Sequence, residues 1–348
     1  MKKENNIEIY PFTAFDLPLL RYQNINDKSI NLIPVCPPAL NIASNDFSYL
    51  DRRTVVYENN YRPDKYCFIA ENKSFAEIEW AIEYSEELED REIILYRNQL
   101  QDYEPLLKFA RKKTVYTYSN KHPEDLRKIS KLNTISDCKI IGVISAGGNN
   151  NKQEVCLSIT SALRRNGFKA ESLFITKEFS IIGFSVLDLD ELFGVDYDST
   201  LRTINSTITN KIKEEFLDFL VLEIPGDVAR YNHSILNGSG LQTYIFSQAI
   251  NIDTAICCVP FSGNSENYYL KIADHINRKF SIENIYFHMS NFAISKSISA
   301  ATKKISGGYV DAELYIEYLR KIKMKLNDVD DLCTNEGADR IALDLNCN

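Results

Sequence analysis

Ile140-Ile141-Gly142-Val143-Ile144-Ser145-Ala146-Gly147-Gly148-Asn149-Asn150-Asn151-Lys152-Gln153 ends an apolar run in a Gly- and Asn-rich turn, places a lysine after it, and leads into the helical pattern Glu154 to Asn166. Strand, glycine turn, lysine and helix in that order are the layout of a phosphate-cradling P-loop. Its Walker A pattern wants Gly, four residues, then Gly-Lys-Ser/Thr. Set on Lys152, the chain offers Ala146, then Gly147 to Asn150, then Asn151-Lys152-Gln153. The lysine is in place and the other fixed positions are changed. Ala146 and Asn151 carry a Cβ where glycine would let the backbone turn its N–H groups inward. Asn tolerates positive φ better than most residues, so the turn can survive. Gln153 stands where a hydroxyl would ligate Mg²⁺, and an amide is a poor substitute in that tight octahedral shell. An anion at the helix N-terminus would still gain about 0.3–1 kcal/mol. The plainer expectation is a strand-turn-helix with a solvated Lys152.

Glu223-Ile224-Pro225-Gly226-Asp227 ends the most apolar run of the chain, Phe219 to Ile224. In P-loop proteins a carboxylate there orders metal-bound water, and a nearby glycine N–H meets the γ-phosphate. Glu223 and Gly226 stand in comparable places, with Glu lengthening the arm. A simple strand-ending Pro-Gly turn is the other reading. The nucleotide- or anion-binding set expected from sequence is therefore Gly147, Gly148, Asn149, Asn151, Lys152, Gln153, Glu223 and Gly226.

Working outward, strand-like and helical patterns alternate. Toward the N-terminus, strands are expected at Ile7–Tyr10, Asn31–Cys36, Tyr66–Ala70, Ile93–Tyr96 and Lys113–Thr117, with a helix at Ser74–Glu87. Ser74 and Glu77 make a capping box for that helix. After Lys152, strands are expected at Ala170–Ile175, Phe219–Ile224, Thr254–Val259 and Asn284–His288. Helices are expected at Ser199–Leu217, Gln242–Ala249, Ser265–Phe280, Asp311–Leu326 and Asn335–Leu343. Such alternation argues for parallel sheets. The fold class expected is α/β with two parallel-sheet domains. Residues 1–125 would form a small flavodoxin- or Rossmann-like domain and 126–137 a linker. Residues 138–310 would form a P-loop-like domain with a degenerate Walker A, and 311–348 a helical tail.

Composition sets further bounds. The 348 residues suffice for two domains with separate cores. A net charge of −8 without a basic stripe argues against a nucleic-acid partner. The acidic patch at Glu86 to Glu92 reads as a solvated helix end. No secretory signal and no membrane-length apolar run is present, which points to the cytoplasm and to reduced thiols. The eight cysteines form no Cys-x-x-Cys pair, so no metal is expected. Cys257 and Cys258 read as buried small hydrophobes in a strand. His288, at the C-terminal edge of the last strand, and His233, in the loop after Gly226, have no nucleophile at a readable spacing. Both read as structural histidines. Tyr10-Pro11-Phe12 and Pro18-Leu19-Leu20-Arg21-Tyr22 read as a compact aromatic and basic loop. Either it contacts a peptide, through Tyr10, Phe12 and Arg21, or it covers a sheet edge.

The segments Ile9-Tyr10-Pro11-Phe12, Pro18-Leu19-Leu20-Arg21, Ile182-Gly183-Phe184, Glu223-Ile224-Pro225-Gly226 and Tyr244-Ile245-Phe246-Ser247-Gln248-Ala249 resemble the peptide maturation system proteins of bacterial gene cassettes. In those cassettes a radical-SAM maturase modifies a small, often cysteine-rich or bacteriocin-like peptide. The resemblance covers about residue 7 to about residue 290. It implies an accessory role in making a ribosomally synthesised, modified peptide, with the precursor peptide or its maturase as partner, and it supplies no catalytic residue. The chain departs from the family at Asp227, where a second glycine is usual. Two functions follow as expectations. One is a binding or scaffold protein without a required cofactor, monomeric or a homodimer. The alternative is a divergent P-loop nucleoside triphosphatase using ATP or GTP with Mg²⁺.

Overall fold

The computed structural model describes residues 5–10, 17–22, 25–26, 30–34, 65–69, 92–96, 115–117, 131–135, 137–148, 151–188, 196–235, 240–261, 265–302 and 307–347. The chain divides into two units, one of Met1–Lys121 with Thr176–Asp190 and the other of His122–Ile175 with Glu191–Asn348.

The first unit holds β1 (Asn5–Tyr10), β2 (Ile30–Pro34), β3 (Lys65–Ile69), β4 (Glu92–Tyr96) and β5 (Val115–Thr117), in sheet order β2-β1-β3-β4-β5. Every described pairing in it is parallel. Ile7, Ile9 and Leu32 are buried and anchor β1 and β2. The segment expected as a loop at 18–22 instead begins with a short helix, α1 (Leu17–Arg21). Leu19 and Leu20 are both buried, and one helical turn hides adjacent leucines while Pro18 costs nothing in a first turn. The excursion at 176–190 carries a 3₁₀ turn (Lys177–Ser180) and the short β8 (Ser185–Val186). It is stiffened by a buried ion pair, Lys177 Nζ to Asp188 at 2.7 Å. Asn26 Nδ2 donates to the Ile182 carbonyl at 3.0 Å. The expected Ser74–Glu87 helix lies outside the described residues.

The second unit is built on β6 (Lys139–Ser145), β7 (Ala170–Phe174), β9 (Phe219–Glu223), β10 (Thr254–Phe261) and β11 (Asn284–Ile294). Its helices are α2 (Lys152–Arg165), α3 (Tyr197–Glu215), α4 (Leu241–Ala249), α5 (Glu266–Phe280), α6 (Lys296–Thr302), α7 (Ala312–Lys323) and α8 (Asn335–Cys347). Sheet order runs β12-β11-β10-β6-β9-β7, where β12 is Gly307–Tyr309, and β13 (Val329–Asp330) pairs with β11. The strands are parallel except β12, which is antiparallel to β11. The architecture is mixed α/β with mostly parallel sheets.

β9 is interior, between β6 and β7. All five of its residues are buried, as an unbroken apolar run predicts for a strand covered on both faces. β6 and β10 are nearly as deep, and each fully buried aliphatic side chain contributes on the order of 1.5–3 kcal/mol. β11 runs six residues past the expected end, so His288 sits inside it rather than at its edge. The C-terminal residues belong to this unit: α8 packs on α2, and Lys139 Nζ donates to the Leu345 carbonyl at 3.0 Å.

Candidate functional site

β6 delivers the glycine turn to the end of β9. Ala146 N donates to the Cys258 carbonyl at 2.9 Å, and Val228 N donates to the Ser145 carbonyl at 2.8 Å. The start of the loop is thus pinned on both sides. Gly147 and Gly148 have φ of +102° and +99°, which side chains rarely adopt. Asn149 and Asn150 lie outside the described residues. Asn151 has φ 61°, so asparagine does hold the left-handed position expected of it. Its side chain is tied down, accepting from Ser290 Oγ at 2.9 Å and donating to Glu154 at 3.3 Å.

Lys152 is not solvated. It is 5% exposed, and its Nζ donates to the carbonyls of Ile224 at 2.7 Å and Gly226 at 3.4 Å. The reason lies in β9. Its ladder ends at Glu223, so the carbonyls beyond it need donors, and α2 starts beside them. A buried ammonium must be hydrogen-bonded, and these carbonyls meet that need. The lysine expected to reach a phosphate reaches the protein's own backbone.

Gln153 and Glu223, expected to serve Mg²⁺, are joined. Gln153 Nε2 donates to Glu223 Oε1 at 2.7 Å, while Glu223 Oε2 accepts from Ile175 N at 3.0 Å. Glu223 is 1% exposed, and both its oxygens are engaged.

The residue whose role the sequence reading missed is Asp227, also 1% exposed. Gly148 N donates to both of its carboxylate oxygens, at 3.1 Å to Oδ1 and 2.9 Å to Oδ2. Ser145 Oγ also bonds Asp227 Oδ1 and lies 3.1 Å from the Gly226 carbonyl. A hydroxyl has one proton, and the ionised carboxylate is the stronger acceptor. The available signal was an Asp directly after a Pro-Gly turn at the end of the central strand. Gly226, with φ +71°, sets that direction, and an added Cβ would meet Gln242 Oε1 at 2.7 Å.

Buried thiols surround the site. Burial pushes the Cys156, Cys257 and Cys258 thiols well up, and for Cys156 and Cys258 it outweighs the opposing effect of Lys152. They remain protonated near neutrality and offer no thiolate nucleophile. Cys138 and Cys333 are buried as well, and none of these five cysteines is in a disulfide.

A second cluster joins His288, Asp331 and Cys333. One possible ligand atom from each falls within 4.8 Å of the others, and all three residues are buried. The ring's hydrogen bonds decide what it can do. Leu332 N donates to His288 Nδ1 at 3.1 Å, so the neutral ring carries its proton on Nε2, which faces Cys333 Sγ at 3.7 Å. That tautomer has no free lone pair for a cation. Cys333 N donates to Asp331 Oδ1 at 3.1 Å, completing a polar tie between β11 and the segment after β13. His233 is exposed in the loop after Gly226. Of the expected peptide contacts, Tyr10 ends β1, Arg21 ends α1 and is half-buried, and Phe12 lies outside the described residues.

No family model matches the chain, and no curated protein matches it. Its fold is similar to the crystal structure, at 2.30 Å resolution, of a DUF1611 family protein from Anabaena variabilis. The TM-score is 0.62 at 11% identity, over 99% of this chain and 100% of that one. At that identity the likeness is one of fold alone. Among the described residues no helix is long and apolar enough to cross a membrane.

Proposed function

We propose that this chain is a non-catalytic binding protein, an accessory in the maturation of a ribosomally synthesised, modified peptide, with a nucleotide-binding architecture kept as scaffold. The first sheet's order, β2-β1-β3-β4-β5, supports a flavodoxin-like reading of the first unit. In the second, β6, its glycine loop and α2, with β9 beside β6, support a P-loop-like reading. One observation carries the non-catalytic part: Lys152 Nζ is buried and donates to the Ile224 carbonyl at 2.7 Å. The Gln153–Glu223 bond engages the carboxylate that would order metal-bound water. The peptide role is supported by the sequence resemblance, with Tyr10, Phe12 and Arg21 as its candidate contacts.

The test is co-expression with the precursor peptide and its radical-SAM maturase, followed by size-exclusion chromatography. A stable complex without added nucleotide is expected, and Arg21→Ala weakens it. Elution of the chain alone, with or without nucleotide, overturns the partner assignment. The divergent-triphosphatase reading keeps one specific support, the placement of Glu223 on the strand next to the loop strand. It predicts Mg²⁺-dependent phosphate release that Lys152→Ala abolishes.

A further inference from the structure

Among the described residues, three donors of the glycine loop and its flanks, the Gly148 N–H, the Ser145 hydroxyl and Lys152 Nζ, are claimed by one four-residue segment. Ile224 and Gly226 offer their carbonyls to Lys152 Nζ. Asp227 takes the Gly148 N–H with both carboxylate oxygens and bonds the Ser145 hydroxyl. A carboxylate gripped by a loop N–H and a hydroxyl has the charge and the acceptor pattern of a bound oxyanion. Its burial at 1% exposure means that a second anion at the same donors would meet both the carboxylate's volume and its charge.

We infer that Asp227 is an intramolecular lock: it fills the oxyanion position of the β6–α2 loop, and a phosphate-bearing ligand binds there only when its carboxylate is removed or withdrawn. The inference deepens the proposed function and rests on its reading of the loop as closed. It adds the cause of closure. Changed loop residues account for lost Mg²⁺ ligation, whereas Asp227 accounts for the occupied donors. Gly226 belongs to the device, because its left-handed φ turns the next residue back toward β6.

Two readouts test the lock, both on the full chain. The first is hydrogen exchange at the Gly148 amide, slow in the wild type and at least tenfold faster in Asp227→Gly. The second is calorimetric titration with inorganic pyrophosphate. Asp227→Gly should bind at least tenfold more tightly than the wild type, and adding Lys152→Met to that variant should remove the gain. If Asp227→Gly does not melt cooperatively, Asp227→Ala decides the case, since it removes the carboxylate's volume and charge without adding a glycine's backbone freedom. Equal pyrophosphate affinity in the wild type and the folded variant, or unchanged exchange at Gly148, overturns the lock. Tight nucleotide binding by the wild type would overturn the lock and the closed-loop reading together, whereas the outcomes above overturn the lock alone. The two failures are therefore distinguishable.

Discussion

Gln153 donates its side-chain amide to the Glu223 carboxylate at 2.7 Å, joining the first turn of α2 to the end of β9. On the proposed P-loop-like reading, these are the two places whose residues hold a metal ion in P-loop enzymes. Here they hold each other, and glutamine's extra reach is what closes the gap a metal and its water would fill.

Removing that bond should cost stability. Gln153→Ala takes a charge-assisted partner from a buried carboxylate, so a loss of about 1.5–3 kcal/mol is expected. Urea unfolding monitored by circular dichroism measures it. A change within about 0.5 kcal/mol, the usual range for surface positions, would show that the bond does not form in solution.

Lys152→Ala should be at least as costly. It strips the donor from the carbonyls of Ile224 and Gly226 and leaves a hole in the site. A loss of more than about 2 kcal/mol is expected, because each unsatisfied buried acceptor costs about 1–3 kcal/mol. Lys152→Met, which keeps the apolar stem, should recover part of it. A solvated lysine would give a neutral substitution in the same melts.

Much of this arrangement was legible in the sequence, and the rest shows where residue patterns stop informing. The run Phe219 to Ile224 announced an interior strand because a strand buried on both faces shows no polar alternation. The glycine turn before α2 was readable because strand, turn and helix are local in sequence. The burial of Lys152 was not, since its partners are backbone carbonyls, which every residue carries. Asp227's contacts to Ser145 and Gly148 span about eighty positions and depend on β6 lying beside β9. The tail of β11 past His288 was missed because Ser290 and Asn291 interrupt the apolar pattern, while its pairing with β12 is again long-range.

Asp196 gives a pH-dependent prediction. It caps α3, and the Ser199 hydroxyl and backbone N–H lower its carboxyl from the ordinary 3.8. A lowered folded-state value means stability that is present above 3.8 and lost as pH falls through the folded value. Asp196→Ala should therefore melt below the wild type at pH 7, with the gap narrowing under acid. A gap that stays constant from pH 7 to pH 2 would show that the charge has no part in the cap.

Repairing the loop residues alone should not restore nucleotide binding. Asn151→Gly with Gln153→Thr supplies the missing glycine and hydroxyl but leaves Asp227 on the Gly148 amide. Only the triple change with Asp227→Gly should bind Mg²⁺-ATP in a thermal-shift assay. Binding by the double variant as strong as by the triple would show that the carboxylate is no obstacle.

The closed loop itself is tested most directly by calorimetric titration of Mg²⁺-ATP into the unmodified protein. No saturable heat is expected up to millimolar nucleotide, with the Gly148 and Lys152 donors held by Asp227, Ile224 and Gly226. One-to-one binding at micromolar Kd, abolished in Lys152→Met, would contradict it.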